Sequence, residues 1–152
     1  MRILRTAAAL ACAALFAAAP ATAQELKIGA VFPMSGPNAE IGEIFSRSAT
    51  IAVDQVNADK MLSRPLKLVI EDSQATPQGG VIAMTKLVDV EKAPYVLGAY
   101  TAVSKAIAPI GDRAKVVTIN GGAVGPDLAE LGDYFWNVIP LVNFEVEVAV
   151  PY

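Results

Sequence analysis

From residue 26 onward, short apolar runs alternate with stretches of helical periodicity, and this alternation narrows the possible folds more than any other feature. LKIGAVF at 26–32 reads as a strand. Within residues 43–57, Phe45, Ala49, Ala52 and Val56 recur at i, i+4, i+7 and i+11, which is one face of a helix. LKLVI at 66–70 reads as a second strand and runs into the acidic pair Glu71-Asp72. Thr76-Pro77 then predicts a helix start, with threonine as N-cap and proline in the first turn. Val81, Met84 and Val88 are expected on the buried face of that helix. A third strand is expected at 95–98. A third helix carries Val103, Ile107 and Ile110 on one face, and Pro109 is expected to bend or shorten it. KVVTI at 115–119 and YFWNVI at 134–139 read as a fourth and a fifth strand. Residues 144–152 alternate like a strand, while a helix beginning at Asn143 fits equally well. The pattern predicts right-handed crossovers and an α/β fold of three layers, a parallel sheet with helices on both faces.

Sheets of this kind collect ligands beyond the carboxyl ends of their strands, where the strand order reverses. Three loops are expected at that edge, at 33–42, 99–102 and 120–125. The first contains Ser35-Gly36-Pro37, a tight-turn sequence, and is long for a simple strand-to-helix connection. The second puts Tyr100 and Thr101 at the front of a helix, where outward-facing amides suit a carboxylate, although Thr101 can equally serve as the N-cap. The third lies in TINGGAVGPD at 118–127. A dinucleotide fingerprint would follow the first strand, and a phosphate loop would need lysine and a hydroxyl residue after its last glycine. Pro126-Asp127 stands there instead, so this loop suits a small polar ligand held by main chain. Glu71 and Asp72 have no histidine beside them and read as surface or structural residues. Phe135 and Trp136 read as core.

Composition removes most catalytic chemistry. The chain of 152 residues has no histidine and a single cysteine, Cys12. The N-terminus shows a basic start at Arg2 and Arg5, an apolar run over 7–19, and Ala21-Thr22-Ala23 as a small-x-small cleavage signal. This layout predicts a secretory signal peptide over residues 1–23, and its apolar run falls short of the roughly 20 residues that span a bilayer. Cleavage would leave 129 of the 152 residues, with ten basic and fifteen acidic side chains and a net charge of −5. Such a chain would have no cysteine. It therefore calls for no disulfide, metal or other cofactor, and it offers neither a triad nor the basic surface that nucleic acid or direct membrane association requires. The expectation is a non-enzymatic exported protein, with residues 24–152 as one domain.

The stretches LKIGAVFPMSGPNAEIGE, AVDQVNADKMLSRPLKLVIEDSQATPQGGVIAMTKLV, YVLGAYTAVSKAIAPI and VVTINGGAVGPDL together resemble the periplasmic solute-binding proteins of the branched-chain amino acid (leucine/isoleucine/valine) ABC importer family. The resemblance implies a type I periplasmic binding fold of two α/β lobes that close on a small solute and pass it to an inner-membrane ABC permease. It implies periplasmic location. It also implies that residues 24–152 form the N-terminal lobe, with the second lobe absent and the sequence a fragment. Half a clamp is expected to bind weakly, because nothing closes over the ligand. The resemblance assigns the ligand's carboxylate and ammonium to the neighbourhood of Tyr100, Thr101 and Ala102 and of Gly122, Ala123 and Val124, with Ile41 where relatives often carry an aromatic residue. Val124 stands where amino-acid binders place threonine, and Ser104 is a second candidate for the hydroxyl of the loop after the third strand. These departures widen the expected ligands from branched-chain and other amino acids to aromatic or aliphatic carboxylates and amides. The same fold also serves as the ligand-sensing domain of receptors and regulators.

Overall fold

The computed structural model describes residues 24–150. The expected signal segment 1–23 lies outside the described residues, as do Pro151 and Tyr152. Five strands, β1 (Leu26–Phe32), β2 (Leu66–Asp72), β3 (Tyr95–Gly98), β4 (Val117–Asn120) and β5 (Phe135–Asn137), form one parallel sheet in the order β2-β1-β3-β4-β5. Helices α1 (Ala39–Ala58), α2 (Pro77–Asp89), α3 (Thr101–Ala114) and α4 (Val142–Ala149), with a 3-10 turn at Pro126–Glu130, complete the element order. The chain winds outward from β1 in both directions, so the order reverses between β1 and β3, where such sheets open a crevice.

Alternation along the strands divides the core into two layers. Val31 and Val96 face α2 and α3 and pack with Met84, Leu87, Val103 and Ile107, all fully buried. Ala30 and Phe32 face the other way and pack with Phe45 and Ala49 of α1. A third cluster, Ala108, Ala123, Leu128, Phe135 and Leu141, anchors the loop after β4 beneath the 3-10 turn. Full burial of each large aliphatic side chain stabilises the fold by about 1.5–3 kcal/mol.

Several local expectations are corrected. In α1, Ala52 is exposed and Val53 is half-buried in its place. In α2, Val81 is 39% exposed, and the buried face is Gly80, Ala83, Met84 and Leu87. There α2 and α3 approach so closely that a Cβ on Gly80 would lie 2.8 Å from Val103 Cγ1. Pro109 does not shorten α3, which runs on to Ala114; it occupies the exposed side of the helix, where water can reach the carbonyl it leaves unpaired. Lys115 adopts the left-handed conformation as C-cap of α3, so β4 begins only at Val117. β5 is three residues long. Phe135 is core, but Trp136, on this outer strand, is 61% exposed. The last segment is the helix α4 and not a strand.

Candidate functional site

The loops leaving β1, β3 and β4 converge at the carboxyl edge. Phe45 of α1 stacks obliquely on Phe32, with ring centroids 5.5 Å apart. A Cβ on Gly122 would lie 2.7 Å from Cζ of Phe45 and 3.1 Å from the Ala99 Cβ. Glycine at 122 is therefore what lets the third loop close down on the first helix and the second loop. Behind this contact lies an apolar hollow of about 210 Å³, lined by Phe32, Phe45, Leu97, Ala99, Ile119 and Val138 among others.

The second loop is short and strained. Tyr100 precedes α3 with φ 70°, a backbone conformation that costs a non-glycine residue roughly 1–3 kcal/mol. Its hydroxyl is buried without a hydrogen-bond partner. No side chain caps α3; the first main-chain bond there is Ser104 N–H to the Tyr100 carbonyl at 2.8 Å. The first-turn amides of Thr101, Ala102 and Val103 thus point along the helix axis with partial positive charge, toward the reversal point of the sheet. Ala102 is exposed, whereas Thr101 is half-buried. The Thr101 hydroxyl does not stand free: its Oγ1 accepts a hydrogen bond from the Gly125 amide at 3.2 Å. Ser104, the other candidate hydroxyl, is fully buried without a partner, packed beneath Gly98 at the end of β3.

The third loop is organised by a residue that pattern reading missed. Asn120, fully buried at the end of β4, accepts from the Gly122 and Ala123 amides at 3.2 and 2.8 Å through Oδ1. Its Nδ2 donates to the Ala123 carbonyl at 2.7 Å and to Asn137 Oδ1 at 2.8 Å. The Gly122 and Ala123 amides, expected to meet an anion, are therefore already spent on Asn120. The signal was present in Asn120-Gly121, since asparagine before glycine favours a side-chain-closed turn. Val124 is 43% exposed at the rim, and its carbonyl accepts from Val142 N–H at 2.8 Å. Ile41 is 42% exposed on the first turn of α1. The structure brings Tyr100, Thr101, Gly122 and Ala123 together through Phe45 and Gly125. Ile41 stands apart from them in sequence, on the first turn of α1.

The acidic residues at this edge serve the scaffold. Lys86 pairs with Glu71 at 2.8 Å, and Lys105 pairs with Asp127, whose carboxyl that hydrogen bond holds below its ordinary value. Asp72 receives the Met34 and Gln74 amides at 2.8 Å each, the Ser35 amide at 3.3 Å, and the Ser35 hydroxyl. Partial burial pushes its carboxyl up, but these hydrogen bonds outweigh it and hold the group below its ordinary value.

Comparison with known proteins places this architecture. Residues 25–152 match the family model described as periplasmic binding protein. An amino acid binding protein of Pseudomonas aeruginosa is 32% identical over 110 residues, covering 71% of this chain and 29% of the relative. The structure of a possible leucine/isoleucine/valine-binding protein from Rhodopirellula baltica superposes with a TM-score of 0.78 at 25% identity, covering 88% of this chain and 37% of the other. The branched-chain amino acid transporter substrate-binding protein LivJ from Streptococcus pneumoniae, in complex with isoleucine, superposes with a TM-score of 0.71 at 26% identity, covering 78% and 34%. The chain spans about a third of the length of these relatives. With its parallel sheet in the order β2-β1-β3-β4-β5 and its match over residues 25–152, the chain belongs to the periplasmic binding protein family, with leucine/isoleucine/valine-binding proteins among its relatives.

Proposed function

We infer that residues 24–152 act as the first lobe of an exported solute-binding protein that captures a small carboxylate-bearing solute in the periplasm for an ABC permease. Residues 1–23 are its cleaved signal peptide. The observation that carries this reading is the uncapped first turn of α3 at the reversal point of the sheet, facing a loop held by Thr101 and Asn120. A helix N-terminus with free amides, whose nearby Lys105 is already paired with Asp127, favours one compact negative group over a polyphosphate. In this reading the Thr101, Ala102 and Val103 amides receive the carboxylate, and Tyr100, Gly122 and Ala123 shape the wall. Val124 and Ile41 present apolar surface at the rim. The isoleucine complex of the S. pneumoniae relative supports a branched aliphatic amino acid as the leading ligand. Because Val124 offers no side-chain acceptor for an ammonium group, other aliphatic or aromatic carboxylates are the second class. Binding involves no bond making, and the protein is not an enzyme in this reading.

Calorimetric titration with leucine, isoleucine, valine, aromatic acids and amino-acid amides tests the reading. Heat from the free acids and none from the amides is the expected result. Binding by amides as tightly as by acids, or by no member of the panel, overturns it.

A further inference from the structure

We propose that Asp72 is the positioning residue of the solute edge: its carboxylate sets the shape of the first loop, residues 33–38, from a neighbouring strand. The inference deepens the solute-binding reading and rests on that loop belonging to the edge. Asp72 ends β2 directly opposite Phe32, the residue from which the first loop departs. Its Oδ1 collects three main-chain amides, from Met34, Ser35 and Gln74, and its Oδ2 takes the Ser35 hydroxyl. Two of those amides lie at the start of the first loop and one in the turn between β2 and α2. That turn carries two consecutive left-handed residues, Gln74 with φ 52° and Ala75 with φ 54°. It is held by Ser73 Oγ, which accepts from Ala75 N–H at 3.3 Å, and by Thr76, whose Oγ1 caps α2 through the Gly79 amide at 3.0 Å.

One carboxylate therefore couples the first loop to a strained turn that is itself fastened to a helix. The other fixed points of the first loop lie mainly at its ends, where Pro33 is buried and the Ile41 and Gly42 amides reach the Asn38 carbonyl. Met34 N–H also reaches the Phe32 carbonyl at 3.0 Å, and Ala39 N–H reaches the Gly36 carbonyl at 3.1 Å. Hydrogen bonds to a charged acceptor are the stronger kind, so loss of the carboxylate frees the loop more than loss of any single neutral bond. An amide in its place has one acceptor oxygen where the carboxylate has two, and its NH₂ group faces donors.

The test uses the full chain with Asp72→Asn, and Ser35→Ala as a milder variant that removes one hydroxyl and leaves the carboxylate. Glu71→Gln, one residue away and paired with Lys86, is the control. Amide hydrogen exchange is read at Met34, Ser35 and Gln74, and isoleucine and leucine affinities are read by titration. Asp72→Asn is expected to speed exchange at all three amides by roughly tenfold or more, with Gly122 and Ala123 unchanged, and to weaken binding by a similar factor. Ser35→Ala is expected to give a smaller change at Met34 and Ser35, and Glu71→Gln none. Unchanged exchange in Asp72→Asn overturns the proposal. Faster exchange with undiminished affinity also overturns it, by removing the loop from the edge. If the parent chain binds neither amino acid, the solute-binding reading fails for these ligands, while the exchange rates still decide whether Asp72 holds the loop.

Discussion

The Thr101 hydroxyl is joined to the Gly125 amide, 3.2 Å away, and this bond ties the start of α3 to the loop after β4. The tie leaves no room for a side chain at 125: a Cβ there would lie 2.4 Å from Thr101 Cγ2. Gly125→Ala is expected to destabilise the fold by about 1–3 kcal/mol through overpacking. Adding Thr101→Ser, which removes the offending methyl and keeps the hydroxyl, recovers part of that loss. Urea denaturation of the two single variants and the double variant measures the coupling. Strict additivity would show that the two residues do not meet.

Asn120 holds the third loop with every polar atom of its side chain in use, so its replacement leaves several buried groups unpaired. Asn120→Ala is expected to cost about 1–3 kcal/mol, the range for a buried donor or acceptor left unsatisfied. Asn120→Asp costs more at neutral pH, because a carboxylate oxygen then faces the Ala123 carbonyl and Asn137 Oδ1. Equilibrium denaturation midpoints rank the variants, and a loss below 0.5 kcal/mol, roughly the level of an ordinary surface change, contradicts the network.

Trp136 is the only tryptophan and is 61% exposed, so its fluorescence reports directly on the outer strand. Emission at the red, water-exposed end and ready quenching by acrylamide are expected, and Trp136→Gln changes stability by no more than about 0.5 kcal/mol. Blue-shifted, unquenched emission, or the roughly 3–5 kcal/mol loss of a core tryptophan, places the residue in a covered interface.

The hydrogen bonds that lower the Asp72 carboxyl predict an acid dependence with a definite sign. In the unfolded chain the group protonates at its ordinary value near 4, and in the folded chain only below that. The stabilisation it gives is fully present at neutral pH and is lost as pH falls from about 4 through the folded value. Subtracting the acid titration of Asp72→Asn from that of the parent isolates this contribution. A difference that disappears between pH 7 and 5 contradicts the assignment.

Much of the fold is legible in the sequence because uninterrupted apolar runs mark buried parallel strands. β1 and β3 follow those runs residue for residue, and Thr76-Pro77 announces the cap of α2. Periodicity fails where burial falls to small residues: Gly80 and Ala83 form the buried face for which periodicity selects Val81, since close helix approach favours the absence of a side chain. It fails again in α1, where exposed Ile44 and Ile51 blur the apolar face. The loops of the site are legible from position and turn residues. Their internal bonding is less so: Asp72 and Thr101 hold backbone far away in sequence, which no local pattern encodes, and the Asn120 turn is signalled only by Asn120-Gly121.

The uncapped first turn of α3 as the carboxylate seat is tested most directly by amide NMR of the chain titrated with isoleucine and, separately, with 2-methylbutylamine, which has the same carbon branch and ammonium but no carboxylate. Selective, saturable shifts at Thr101, Ala102 and Val103 with isoleucine, and none there with the amine, are the predicted result. Equal shifts with both compounds, or isoleucine shifts confined to other residues, contradict the assignment.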